Sequence, residues 1–499
     1  MRRVYQRLTM QRLMGLVLFV LLFTMAVRVP TDTDTWWHLR SGQYMVEHKS
    51  ILRHDPFSHT RQGEFWINHS WGAQIILYGL YQAFGGGVQP GAPGNVGLAM
   101  FTAALATLGM GLVYLMCAGN VYVRAFAVVL GAATAAVFWA PRPQMFSFVL
   151  AAAVLYLLHL YKRQKTDRLW LVPILVVVWV NLHGGFAMAF ILLLGSLVGE
   201  TLANLAGDQR ADVIRWPQLK KVALVTAVSV PLVAVNPFGV RMLDYPLATV
   251  SIGALQDFIQ EWAAPDFHLP QTWPFLMLLL SLLCVFAMSR QRADWTDLIL
   301  VTGTAAMALL AGRNIALFAV VATPVLSRQV DAWLAEQGWR LRPRQTVSGR
   351  MLLANWILLA LVSLGALGKI GATLSSKTIR QAQEEFFPVQ LAAYLTQNPP
   401  GGKLFNSYNW GGYFIFAAPE VPVYVDGRTD LYGDEVLQRY LDTILLQDGW
   451  RESLDEQGID SVAIEADSAL AGALRLMPGS WRELRFDEGR SALFLRQRG

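Results

Sequence analysis

Acids, imidazoles and indoles crowd one polar stretch of the chain, residues 32–87. It holds Asp32, Asp34 and Asp55, five of the eight histidines (His38, His48, His54, His59 and His69) and four tryptophans. Loops longer than about 15 residues are uncommon unless they bind or catalyse. Asp34, two residues after Asp32, follows the first apolar run and lies one residue ahead of the Trp36-Trp37 pair. That acid is where the chemistry is placed. Imidazole with carboxylate also suits zinc or another softer divalent ion. The candidate ligands are Asp34, His38 and Asp55, with His54, His59, His69 and His183 as further imidazoles. No two histidines have HxxxH spacing, so interfacial, hydrogen-bonded histidines are the competing reading. A divalent metal stays open, and no other cofactor is called for.

Composition sets the class. The chain has 499 residues, of which 54% are hydrophobic and only 15% charged; a soluble protein carries roughly 25% charged residues. Apolar runs recur from Leu13 to Leu367, which reads as a polytopic α-helical membrane protein. The net charge of +6 comes from Lys and Arg in short connectors, a positive-inside pattern rather than a nucleic-acid signal. Cys117 and Cys284 both lie in apolar runs and give neither a disulfide framework nor a CxxC site. Polar DTDT follows the first apolar run, so that run reads as a retained signal anchor.

Charge then orients the spans. The basic N-terminus is expected in the cytoplasm, with helix one over 13–29. Residues 36–46 read as a helix at the interface. The run 71–84 would reach roughly 20 Å at ~1.5 Å per residue, short of a ~30 Å hydrocarbon core, so it reads as a second juxtamembrane helix. Spans are then expected at 95–117, 122–140, 146–161, 170–180, 187–205, 222–235, 273–288, 298–311, 315–326 and 351–367, about eleven in all. This arrangement puts every strongly basic connector inside, including the one with Arg328, Arg340, Arg342, Arg344 and Arg350. It also sends one set of polar helix ends to the outer face: Arg142 and Gln144, Asn181 and His183, Asn236, Glu261 and Trp262, and Arg313 and Asn314. Ionisable residues at that depth mark a functional cavity by default. Capping of helix ends is the bland alternative for Arg142, Asn181, Asn236 and Arg313, and NPFG reads better as a turn.

The chain divides into a transmembrane domain over 1–370, with its first outer loop at 30–94, and a small α/β domain over 371–499. In the tail KLFNS, YFIFAA, VPVYVDGR, SVAIEA, WRELRF and SALFLRQ read as strands; EVLQRYLDTIL and residues 468–476 read as helices. Gly411 and Gly412 suit a turn between strands. Asn406, Tyr408, Trp410, Asp426, Arg428 and Asp430 could form a substrate-facing edge, but a structural turn with an Asp–Arg bridge is the favoured reading.

DTWWHLRSGQYM, followed by GEFWINHSWGAQIILYGLYQAFGG, resembles the first outer loop of the GT-C superfamily of integral-membrane glycosyltransferases. That superfamily includes protein O-mannosyltransferases, lipid A aminoarabinose transferases and oligosaccharyltransferase catalytic subunits. Asp34 sits where the family places an acid at the end of helix one. Thr35 follows where a second acid is common, and Arg142-Pro143-Gln144 stands where many members carry another. The resemblance covers the first ~90 residues and beyond them is architectural.

The resemblance implies inverting transfer of a sugar from a polyprenyl-phosphate donor to a glycan, lipid or protein acceptor on the outer face. A sugar on a lipid phosphate already has a good leaving group, so the main demand is a carboxylate base for the acceptor hydroxyl. Asp34 is the candidate base, with Asp32 beside it; the rival role for Asp34 is capping of the Trp36 helix. Arg313, Arg142 and His183 are the candidate phosphate ligands. Glu261 could meet the acceptor or orient a ligand, and His54, His69, Asn181 and Trp37 complete the candidate set. The expected location is a bacterial-type inner membrane, multi-pass, with the N-terminus cytoplasmic and the tail periplasmic or extracellular. Two rivals stand beside this reading: a transporter or flippase of a lipid-linked or polar solute, and a non-catalytic envelope assembly protein.

Overall fold

A computed structural model describes residues 8–253, 261–339 and 348–497. The basic N-terminal residues through Arg7, Gln260, and Arg340, Arg342 and Arg344 of the basic connector lie outside the described residues. Each expected span falls mostly on a helix. The helices are α1 (Met10–Ala26), α4 (Gly94–Met116), α5 (Val121–Ala135), α6 (Gln144–Arg163), α7 (Leu171–Leu182), α8 (Ala187–Leu205), α9 (Trp216–Leu232), α11 (Trp273–Met288), α12 (Trp295–Leu310), α13 (Ile315–Glu336) and α14 (Gly349–Thr373). Among the described residues, seven helices are long and apolar enough to cross a membrane, counting short 3₁₀ extensions of some. Three more, α1, α7 and α12, are apolar but shorter. The spans are apolar on all sides, so one face packs inward and the other stays exposed: Leu108, Leu115, Phe126 and Leu194 are each more than half exposed. That pattern suits lipid rather than water.

The loop after α1 folds as expected, into α2 (Asp34–His48) and α3 (Trp71–Ala83). At 13 residues α3 is too short to span. A further short helix, α10 (Arg241–Val250), follows α9.

The tail contains α15 (Ser376–Phe386), α16 (Val389–Gln397), β1 (Lys403–Asn406), α17 (Tyr408–Ala417), α18 (Thr429–Ile444), α19 (Trp450–Glu456), β2 (Ile459–Glu465), α20 (Ala469–Arg475), β3 (Trp481–Phe486) and β4 (Ser491–Arg496). The strands form one sheet of order β1-β2-β4-β3, in which only the β1–β2 pair is parallel. Two expected strands are not strands. YFIFAA lies in α17, whose residues from Trp410 to Phe416 are all buried. An element buried on every side loses the alternation that separates strand from helix. VPVYVDGR forms no strand; among the described residues its strand-like pairing is the single bridge Ser58↔Val423.

Gly411 and Gly412 therefore make no turn. They sit in α17 where it crosses α2: a Cβ at Gly412 would come within 2.8 Å of the Thr33 carbonyl oxygen and 3.1 Å of Trp37 Cδ1. The loop and the tail share one core. Trp36 packs on Phe387, Tyr413 and Phe416 at 5.1–5.4 Å between ring centroids. Such aromatic pairs contribute about 0.5–1.5 kcal/mol each beyond area burial.

Candidate active site

A cavity of about 480 Å³ lies where the first loop, the helix ends and the tail meet. Asp32, Asp34, Trp37, His38, His69, Arg142, His183, Glu261 and Arg313 all line it. These residues come from distant parts of the chain, and most are delivered by helix ends; Glu261 lies in a turn ahead of α11. Asp34 opens α2 and His38 lies one turn on. Arg142 precedes α6, His183 ends α7, and Arg313 lies in the short 3₁₀ turn between α12 and α13.

One guanidinium organises the acids. Arg142 Nη2 is 2.8 Å from Asp34 Oδ2, and Nη1 is 2.6 Å from Glu261 Oε1 and 3.4 Å from Asp32 Oδ2. Trp37 Nε1 donates to the other Asp34 oxygen at 3.1 Å. The Asp34 backbone N–H donates to Asp32 Oδ1 at 3.0 Å, which fixes the turn into α2. Burial is the largest influence on Asp34 and pushes its carboxyl up to about 7, against the pull of Arg142. Burial raises Asp32 as well. Arg142 holds Glu261 below its ordinary range. Burial would lower Arg142, but Asp34, Glu261 and Asp32 hold it well above its usual value.

Arg313 is placed differently. Its backbone N–H donates to the Glu261 carbonyl at 2.9 Å, and its guanidinium lies over the Trp262 ring at 4.0 Å. Among the described residues its side chain makes no salt bridge. A cation seated on an aromatic face and free of a carboxylate is available to an anionic ligand. His69, Tyr245 and Asp430 close another wall: Tyr245 Oη is 2.6 Å from His69 Nδ1 and 3.3 Å from Asp430 Oδ2.

Four candidates, Asp55, His54, Asn181 and His59, lie elsewhere. Asp55 is fully enclosed, accepts from the backbone N–H of Phe57 and Ser58 at 3.0 Å, and pairs with Arg428 Nη1 at 2.6 Å. Arg428 also pairs with Asp426 at 2.7 Å, so the Asp–Arg bridge expected in the tail is present and extends to the loop. His54 pairs along the loop with Phe65 in an isolated bridge. Asn181 caps and ties helices, accepting from Trp71 Nε1 and donating to the Val177 and Val235 carbonyls. His59 bonds the Leu404 carbonyl, outside the cavity.

Asp34, His38 and Asp55 thus do not meet as a metal site. No group of three or more His, Cys, Asp or Glu suited to a metal occurs among the described residues. The three acids that do meet share Arg142, whose charge sits where a divalent ion would have to sit. The residues present do not fit a resident metal there.

The sequence offered Tyr408 and Asp430 for a substrate-facing edge but favoured a structural turn, and it did not single out Asn409, Gly427 or Thr429. Tyr408, Asn409, Gly427, Thr429 and Asp430 line the cavity, as does Tyr245 of α10. The signal for the tail residues was the NSYN and DGRTD polar clusters, read as turns; nothing in the sequence marked Tyr245.

No protein-family model matches this sequence, and neither does any curated protein. In three dimensions the chain is similar to the oligosaccharyltransferase of Archaeoglobus fulgidus. Against the apo form the TM-score is 0.60 at 12% identity, over 91% of this chain and 69% of that one. Against the form tethered to an acceptor peptide with an NVT sequon it is 0.58 at 14%, over 97% and 74%. ArnT from Cupriavidus metallidurans bound to undecaprenyl phosphate aligns over 97% of both chains at 13% identity, with a TM-score of 0.46. The chain shares the overall fold of that oligosaccharyltransferase.

Proposed function

We propose that this protein is an inverting glycosyltransferase that moves a sugar from a polyprenyl-phosphate donor to an acceptor on the outer face of the membrane. The observation that carries the reading is one cavity with two poles. One is Asp34, a desolvated carboxylate; the other is Arg313, a guanidinium without a carboxylate partner among the described residues. The fold and the loop motif support glycosyl transfer, and the acceptor's class stays a glycan, lipid or protein hydroxyl or amide.

In this mechanism Arg313 holds the donor phosphate through charge-assisted hydrogen bonds. The acceptor attacks C1 of the sugar from the face opposite the phosphate. Asp34 takes the acceptor's proton as the new bond forms, and the C1–O bond to phosphate breaks with its electron pair leaving on the lipid phosphate. Arg142 fixes the Asp34 carboxylate and stabilises its charged form. A base that titrates near neutrality suits this task.

The test separates the two poles. Asp34→Asn should bind donor normally and transfer about 10²–10⁴-fold more slowly. Arg313→Ala should bind donor poorly, and Arg313→Lys should recover only part because the fork geometry is lost. Wild-type transfer by Asp34→Asn would remove the base, and unchanged donor affinity in Arg313→Ala would return that residue to helix capping.

A further inference from the structure

His38 and His183 both line the cavity, and each ring is held by a buried partner on its Nδ1 side. At His183, Nδ1 accepts from the Gly185 backbone N–H at 3.1 Å. A backbone N–H only donates, so that nitrogen carries no proton. Ser147 Oγ lies 2.7 Å from the same Nδ1 and itself accepts from Trp179 Nε1 at 2.7 Å, which turns its hydroxyl proton toward the ring. At His38, Nδ1 is 3.2 Å from Gln74 Nε2. The Gln74 carbonyl oxygen accepts from Asn68 Nδ2 at 2.7 Å, which leaves the NH₂ of Gln74 facing the ring. Gln74, Asn68 and Ser147 are fully buried, so neither arrangement can be rearranged by solvent.

Burial, Arg142, His69 and, for His183, Arg313 hold both rings well below the usual imidazole range. A neutral ring with an unprotonated Nδ1 carries its proton on Nε2.

We infer that His38 and His183 act as two fixed, neutral Nε2–H donors to the phosphate of the bound lipid donor, with Gln74 and Ser147 as positioning residues. This rests on the glycosyl-transfer reading. Fixed N–H dipoles stabilise the charge that collects on the leaving phosphate without any proton transfer and without reorganisation. Neutral donors also add hydrogen bonds to those of Arg313 without adding a further full positive charge, which limits product retention.

The test uses full-length protein in detergent and a short polyprenyl phosphodiester, which keeps a single negative charge near neutral pH. Wild-type binding that Arg313→Ala weakens establishes the phosphate site; without it the glycosyl-transfer reading itself fails. Given that binding, His183→Gln carries an amide N–H at about the reach of Nε2 and should retain affinity, while the shorter His183→Asn should lose roughly tenfold. Ser147→Ala, which leaves the Gly185 N–H to set the tautomer but removes one of the two partners that hold the His183 ring, should fall between them. In ¹⁵N spectra of histidine-labelled wild-type protein, the two rings, identified by their loss in His38→Gln and His183→Gln, should show protonated Nε2 and bare Nδ1 from about pH 6 to 8. Equal affinity of the Gln and Asn variants, or a ring that carries Nδ1–H or both protons in that range, overturns the inference.

Discussion

Gly427 lies against the carboxylate of Asp34, so close that a Cβ at position 427 would overlap Oδ1 and approach Trp37 Nε1 within 2.9 Å. A tail residue nearly 400 positions away thereby fixes the space that the proposed base occupies. Gly427→Ala should displace that carboxylate from Arg142 and Trp37. Overpacking costs about 1–3 kcal/mol, so the protein should still fold, with a modest fall in melting temperature. Transfer should drop by about 10²-fold or more, as general-base assistance is lost. A variant that folds and transfers at the wild-type rate would show that this contact does not position the base.

The pH dependence follows from Asp34, whose carboxyl is pushed up to about 7. A base works only when ionised, so kcat/KM should be full above that pH and fall about tenfold per unit below it. Asp32→Asn removes a neighbouring negative charge that helps raise Asp34. Its profile should therefore shift to lower pH while its plateau changes less than that of Asp34→Asn. A flat profile between pH ~5 and ~8 would contradict the assignment.

Arg142→Met leaves Asp32, Asp34 and Glu261 without their shared counterion. Breaking a fully buried pair costs about 3–5 kcal/mol; the cost here should be smaller because the Glu261 side chain is 48% exposed. The variant should melt at a lower temperature, and Mn²⁺ should raise its melting point because three free carboxylates now face one another. Wild-type protein should show no such shift, since the guanidinium already neutralises the acids. A metal-dependent shift in the wild type would reverse the reading of Arg142.

Orientation is testable independently of the site. Basic connectors alternate consistently only if α3 lies at the interface, so a reporter fused after the last residue should be active outside the cytoplasm. Cytoplasmic activity would place the cavity on the opposite face from the proposed donor.

The spans were legible because bilayer chemistry writes them directly: α8 and α11 begin and end where the apolar runs do. Arg142, His183, Glu261 and Arg313 could be grouped because a helix end has a side of the membrane, and charge gave that side. Asn181 satisfied the same rule and yet bonds the Val235 carbonyl and Trp71, because position along a helix does not set the direction of a side chain. His54 and Asp55 belong to the same polar loop as His38 and His69, and nothing in their spacing separates them.

The sequence by itself determined a helical membrane protein, an acid after helix one, two short helices in the loop that follows, and a mixed tail. Each follows from local hydropathy, periodicity or charge, which neighbouring residues settle among themselves. Only the tertiary structure decided that the tail closes the site. Asp55 and Arg428 are 373 residues apart and meet at 2.6 Å, and that contact draws Gly427, Thr429 and Asp430 onto the first loop. It also decided that three acids share one arginine and that Arg313 stays apart from them. The physical reason is that a buried charge must find a partner wherever the packed chain supplies one, and which partner is near is a property of the whole fold rather than of any segment.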